Sequence, residues 1–213
     1  MKKSLVVVCL VLASAVGANA ATITFTNSAE FFAALGATPY TTETYEGLLV
    51  GSTIPAGATV NGITYTTFPA GTSGRIADTF NSLGDQSLAL TGSQDFFFPG
   101  QSIDISFAPT TAVGVFFNVA LSPADSLFIE TSVGTAGNGP AFDQSMLYFV
   151  GLISDSPFSS ARIGATTEAQ TGFNLDNLTR ATPATPIPEP ASMFLLGSGL
   201  LALRMRARRS RSL

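Results

Sequence analysis

Between Ala21 and Arg180 the chain carries 13 carboxylates, three arginines (Arg75, Arg162 and Arg180) and four tyrosines, and no His, Cys, Lys or Trp. That set excludes most side-chain chemistry. Ser-His-Asp and Cys-His nucleophile systems, Schiff-base lysines, and zinc or iron sites built on imidazole or thiolate have no residues to use. Two chemistries survive. A pair of carboxylates can hydrolyse a glycosidic bond, and carboxylate and carbonyl oxygens can hold calcium, which needs no softer ligand. A solvated acidic surface is the simpler reading of the same residues, and the expectation is that this part of the chain is not an enzyme. With no tryptophan, sugar stacking would fall to Tyr40, Tyr45, Tyr65 and Tyr148. The segment Gly71-Thr-Ser-Gly74 follows no strand-to-helix turn and reads as an ordinary loop, not a phosphate cradle.

Charge narrows the partners. The 213-residue chain has a formal charge of −4, but seven of its ten basic residues lie at the two ends: Lys2, Lys3 and five arginines after Leu203. Residues 21–180 therefore carry about −10, which argues against nucleic acid, where cationic contacts to phosphate dominate. It suits calcium, neutral glycans and solubility outside a cell.

The elements that must position these groups read as β almost throughout. Residues 22–26 alternate as a first strand. Asn27-Ser-Ala-Glu30 then fits a capping box for a short helix through Leu35, stopped by Gly36. Residues 41–47 read as a strand, and Asn61-Gly62 as a hairpin turn into a strand over 63–68. Short strands are expected at 87–91 and 95–98. The clearest alternation is 102–107, with Ile103, Ile105 and Phe107 inward and Asp104 and Ser106 outward. Residues 112–120 are apolar on both parities, the pattern of a central strand. Further strands are expected at 126–133, 146–153, 159–164 and 172–179. About ten strands divided by Gly, Pro, Asn and Asp clusters, within about 160 residues, predict an all-β fold: an antiparallel, jelly-roll-type β-sandwich over residues 21–180. A linker rich in Ala, Thr and Pro, residues 181–187, ends it.

The ends define the topology. Met1-Lys2-Lys3, an apolar run over 5–16 and Ala18-Asn19-Ala20 form a signal peptide over 1–20, with cleavage before Ala21 by signal peptidase after passage through the general secretion machinery. Cys9, the single cysteine, leaves with it, so the mature chain has no thiol or disulfide. At the other end Pro186, Pro188 and Pro190 enforce extended, exposed backbone. Residues 191–203 are uncharged but reach only ~20 Å as a helix, short of the ~30 Å hydrocarbon core. Arg204, Arg206, Arg208 and Arg209, with Arg211, form the cytoplasmic stop. The segment is a marginal transmembrane helix, suited to transient anchoring in the inner membrane.

The order Pro-Glu-Pro (188–190), apolar segment, arginine cluster resembles the PEP-CTERM sorting signal, here residues 188–213. The resemblance implies a bacterial cell and a membrane protease of the exosortase type that recognises Pro188, Glu189 and Pro190. It also implies release of the domain to the cell surface or extracellular matrix, where family context links such proteins to extracellular polysaccharide and biofilm. Residues 102–120, 148–158 and 172–179 are similar to core strands of exported PEP-CTERM domains, which in turn look like carbohydrate-binding sandwiches. By that likeness Glu46 and Asp176 occupy places like structural calcium positions, and Asp176 falls on the strand face opposite Phe173 and Leu175. The alternative for Asp176 is a strand-end cap beside Asn177. A structural matrix protein, a glycan-binding module and, more distantly, a carboxylate-dependent glycosidase stand as readings of the domain.

Overall fold

The computed structural model describes residues 21–78, 83–84, 86–92, 95–119, 122–139, 147–169 and 171–182. The expected signal peptide with Ala18 and Ala20, and the tail with Pro188, Glu189, Pro190 and the expected stop at Arg204, Arg206, Arg208 and Arg209, lie outside the described residues.

In chain order the elements are β1 (Thr22–Phe25), α1 (Ser28–Leu35), β2 (Tyr40–Glu43), β3 (Thr53–Ile54), β4 (Thr59–Val60), β5 (Ile63–Thr67), β6 (Gly74–Ala77), β7 (Ser87–Leu90), β8 (Ser102–Val119), β9 (Leu127–Thr131), β10 (Gly134–Gly137), β11 (Leu147–Ala165) and β12 (Phe173–Ala181). All pairings are antiparallel, and they join the 12 described strands into one hydrogen-bonded sheet.

Two long strands turn that sheet into a sandwich. The sequence pattern predicts four strands over 102–120 and 146–164, but the structure has two, of 18 and 19 residues. The two gaps between the expected strands are creases instead. Ile153 pairs with Ala112, yet Phe158 pairs with Thr110 and Ser160 with Ser106, so both strands carry extra residues around Pro109 and Pro157. A proline, lacking the ladder donor, is tolerated at such a break. Before its crease β8 pairs with β5 (Ile63↔Phe107) and with the end of β11 (Ile163↔Ile103), extended by β9 and β10. Beyond it β8 pairs with β12 (Phe173↔Val119) and with the start of β11 (Val150↔Val115), which adds β1. β2, β7, β6 and β3 complete this second layer from β12.

The two layers close on one core. Ile103, Ile105 and Phe107 meet Val113, Val115 and Phe117 there, with Tyr65, Ile76, Leu88, Leu152, Ile163 and Phe173, all buried. Asp104 and Ser106 stay partly exposed, as the alternation requires. The opposite parity of β8 serves a second cluster. Helix α1 lays Phe31 and Leu35 over Ala112, Phe149 and Ala181, which is why residues 112–119 are apolar on both faces. The helix is capped as its sequence implies: Asn27 Oδ1 accepts from the Glu30 N–H at 3.2 Å, and Gly36, at φ 57°, closes the end. Asn61 and Gly62, at φ 49° and 77°, make the tight turn between β4 and β5.

Three further expectations are corrected. β2 stops at Glu43 and not Gly47, because Tyr45 takes φ 61° and turns the chain while its ring enters the core. Residues 95–98 are not a strand; Phe97 alone makes a bridge, to Phe173. The strand expected over 126–133 is confined to Leu127–Thr131 and turns at once into β10.

Candidate functional site

The residues most able to act as ligands gather on the outer face of the second layer, beside the apolar patch under α1. Phe173 and Leu175 point into the core. Alternation therefore turns Asn174 and Asp176 outward, next to Asn118 on β8 (Asn174↔Asn118) and Ser87 on β7. These side chains are nonetheless buried, Asp176 at 1% exposure. Asn177, at φ 48°, breaks the β12–β8 register and inverts its parity, so Leu178 returns to the core and Ala181 joins the outer cluster.

Asp176 is half satisfied. Its Oδ1 accepts from the Asn177 N–H at 2.6 Å, whereas Oδ2 is buried without a protein partner. Asn118 Oδ1, Asn177 Oδ1 and Gln86 Oε1 are in the same condition. Burial pushes the Asp176 carboxyl up to about 7; the Asn177 N–H opposes the rise and the charge of Glu46 adds to it. The Asn118 amide lies near enough to lower the value somewhat, yet makes no hydrogen bond of ordinary geometry. Glu46 is exposed, and its Oε1 accepts from the Gln86 N–H at 3.0 Å. Thus Glu46 and Asp176, 130 residues apart in sequence, act on one another through space. Among the described residues no three Asp, Glu, His or Cys gather as a metal cluster. A cation at Asp176 would rest on one or two carboxylates and neutral amide oxygens. That donor set is hard, oxygen-only and partly unsatisfied, which fits calcium and not zinc or iron.

A second polar group lies at the β2 edge. Glu43, buried, accepts from the Tyr45 N–H at 2.8 Å and from Asn61 Nδ2 at 2.6 Å. Arg180 reaches back to the carbonyls of Gly62 and Asn61, both at 3.1 Å, and lies 5.7 Å from the Phe107 ring centroid. Burial lowers its pKa, and Tyr65 and Glu43 oppose that. The cleft here, about 290 Å³, is lined by Thr41, Thr42, Glu43, Thr44, Gly47, Asn61 and Arg180. Thus Glu43, which sequence reasoning passed over, is tied into a network; the Asn61-Gly62 turn was the only signal that pointed to this corner. Beneath it Tyr45 and Tyr65 bond hydroxyl to hydroxyl at 3.3 Å, and burial raises the pKa of both.

The expected sugar-stacking rings are placed otherwise. Tyr45, Tyr65 and Tyr148 are buried in the core, and only Tyr40 is exposed, at 50%. A tyrosine in a small sandwich is more useful as core volume than as a platform, and sequence does not distinguish the two.

The described residues thus form an antiparallel β domain with two polar clusters, and the sequence beyond them carries a further signal. Residues 186–209 match the family model of the PEP-CTERM protein-sorting motif. The motif marks the chain for export, transient membrane anchoring and a final place at the cell surface or outside it, and implies processing by an exosortase. No curated protein matches the chain. Among solved structures it is similar to the catalytic domain of a GH87 alpha-1,3-glucanase, at 15% identity and TM-score 0.39, covering 72% of this chain and 30% of that one. It is also similar to the CBM22-1 xylan-binding domain of Paenibacillus barcinonensis Xyn10C, at 18% identity and TM-score 0.36, covering 64% and 98%. The chain therefore spans under a third of the length of the glucanase structure it matches.

Proposed function

We propose that the mature protein is a non-catalytic component of the extracellular matrix, associated with exopolysaccharide and released by an exosortase-type protease acting at Pro188-Glu189-Pro190. The observation that carries this is the sorting motif at 186–209 joined to an all-β domain without His, Cys, Lys or Trp. In this reading residues 1–20 are removed before Ala21, residues 21–180 are the delivered domain, and Arg204, Arg206, Arg208 and Arg209 hold the stop until cleavage. Replacing Pro188, Glu189 and Pro190 by alanine should leave export intact and the chain membrane-bound at full tail length. Release equal to that of the parent would overturn the sorting mechanism.

A glycan-binding module is the second reading, favoured by the polar cleft at Glu43, Asn61 and Arg180 and opposed by the burial of three of the four tyrosines. Saturable binding on a glycan array that Arg180→Ala abolishes would establish it; a structural matrix protein gives none. The few polar oxygens left without protein partners around Asp176 support a structural calcium held by Asp176, with Glu46 within electrostatic reach. The domain should then melt higher in millimolar calcium than in chelator, by an amount set by occupancy. Asp176→Ala should erase that difference. Because a proton competes at a carboxyl whose pKa is about 7, the calcium effect should weaken as pH falls below 7.

A further inference from the structure

The first residue after the expected signal cleavage is built into the fold. β1 is an edge strand on β11, in register Thr22↔Ser154 to Phe25↔Gly151. It buries little: Ile23 is 60% exposed, and Phe25, packed edge-on against Phe31 at 5.7 Å, is its main apolar contact. Its hold on the sheet therefore depends on polar contacts, and these run to its first residue. The carbonyl of Ala21 accepts from the Asp155 N–H at 3.1 Å, and Thr22 Oγ1 donates to the Val133 carbonyl at 3.0 Å. Ala21 N itself donates to Asp155 Oδ1 at 3.0 Å, an oxygen that Ser156 Oγ also approaches, at 3.3 Å. Asp155 can meet Ala21 in this way because it sits in the stretch of β11, 154–157, that loops out of the β8 ladder at the crease.

We propose that Asp155 is the acceptor for the α-ammonium that signal cleavage creates at Ala21, so that maturation itself locks the edge strand. In the precursor Ala21 N is a neutral amide with one hydrogen to give. Hydrolysis of the Ala20–Ala21 bond adds water across it, leaves the carboxylate on Ala20 and gives Ala21 an ammonium with three donors. The existing 3.0 Å contact then becomes a charge-assisted hydrogen bond within an ion pair. The ammonium is also the only primary amine the mature chain possesses, since its two lysines, Lys2 and Lys3, leave with the signal peptide. The proposal rests on cleavage after Ala20.

That uniqueness makes the test clean. In the signal-cleaved chain, residues 21–213 in detergent micelles, 13C reductive dimethylation labels one nitrogen and keeps its charge. Its pKa should lie a few tenths to one unit above that of the same labelled amine in the urea-unfolded chain. It should fall back in Asp155→Asn, and also in a chain extended by Gly-Ser ahead of Ala21, which moves the charge away. Hydrogen exchange of the β1 amides should quicken by ~2–5-fold in either altered chain, the range of an exposed ion pair, and no further when the two changes are combined. An ordinary pKa that ignores Asp155→Asn, or additive effects of the two changes, would overturn the capture. Mass spectrometry of the chain exported by its native host tests the cleavage separately: a mature terminus other than Ala21 would overturn the link to maturation whatever the titration shows.

Discussion

The outer face of the second layer has two ends built on opposite principles, only a residue or two apart along β8. Under α1, Ala112, Phe116, Phe149 and Ala181 make an apolar floor for Phe31 and Leu35. Next to it, Asn118, Asn174 and Asp176 occupy the same face, equally buried, and Asn118 and Asp176 carry polar atoms without a hydrogen-bond partner. The apolar end gains stability from every contact it makes. The polar end pays desolvation that the protein's own groups do not fully return. Asp176 is accordingly a carboxylate whose ionisation the fold opposes.

The largest effect should come from the apolar end. Phe31, wholly buried, packs tilted against Phe149 at 5.2 Å and edge-on against Phe25 at 5.7 Å. Phe31→Ala should cost roughly 3–5 kcal/mol in denaturant unfolding. A loss below 1 kcal/mol would mean that the helix is an ornament on the sheet and not part of its core.

At the polar end the expected signature is a pH dependence of unusual sign. The unfolded carboxyl titrates near 3.8, the folded one at about 7. Between those values the folded state holds the extra proton, so stability is fullest below the lower value and is lost as pH rises toward 7. Asp176→Asn removes the titration and keeps the shape. In chelator, the stability of the parent minus that of this variant should therefore fall by roughly 2–4 kcal/mol from pH 4 to pH 8. A flat or rising difference curve would show that Asp176 is ionised without strain, and the contrast between the two ends would fail.

Next in size is the glycine pair beneath the rings. Gly114 and Gly151 face one another across β8 and β11. A Cβ on Gly114 would lie 2.6 Å from Phe149 Cζ and 3.1 Å from Phe31 Cζ, and one on Gly151 would lie 2.7 Å from Phe149 and 2.8 Å from Phe31. The missing side chains are what allow the rings to lie on the sheet. Gly114→Ala should cost about 1–3 kcal/mol by overpacking, and less in a chain that already carries Phe149→Leu. Equal losses in both backgrounds would place the strain elsewhere.

Local chemistry was legible in the sequence, and its long-range use was not. The Asn27 cap, the Asn61-Gly62 turn and the parity of Ile103, Ile105 and Phe107 each follow from neighbours within a few residues, and each is where the pattern puts it. The gaps at 108–111 and 154–158 read as breaks between separate short strands. That these gaps, with Pro109 and Pro157 in them, are creases in continuous strands depends on the partner strand breaking at the same level. Tyr45 and Tyr148 offered rings to a ligand in sequence and give them to the core in space. Asp176 was legible as an outward residue of β12, but its burial, beside Asn118 and within electrostatic reach of Glu46, was not, since no periodicity ties those residues to it. The tail was the most legible stretch of all, since its composition and not its packing carries the signal.

The smallest effect separates the two ends most finely. Asn27 caps α1 from extended backbone (φ −129°, ψ 125°), its side chain taking the Glu30 N–H that the first turn leaves over. Removing that acceptor with Asn27→Ala should cost ~1 kcal/mol, whereas Asn27→Asp, which keeps the acceptor and adds negative charge at the helix start, should cost nothing. Helix α1 covers only the apolar floor. The loss should therefore appear as faster exchange at the amides of Phe31 through Leu35, with the pH difference curve of Asp176 unmoved. If capping instead changes the titration of Asp176, the two ends are coupled through β8, and the polar end owes its raised carboxyl to the helix as well as to its own burial.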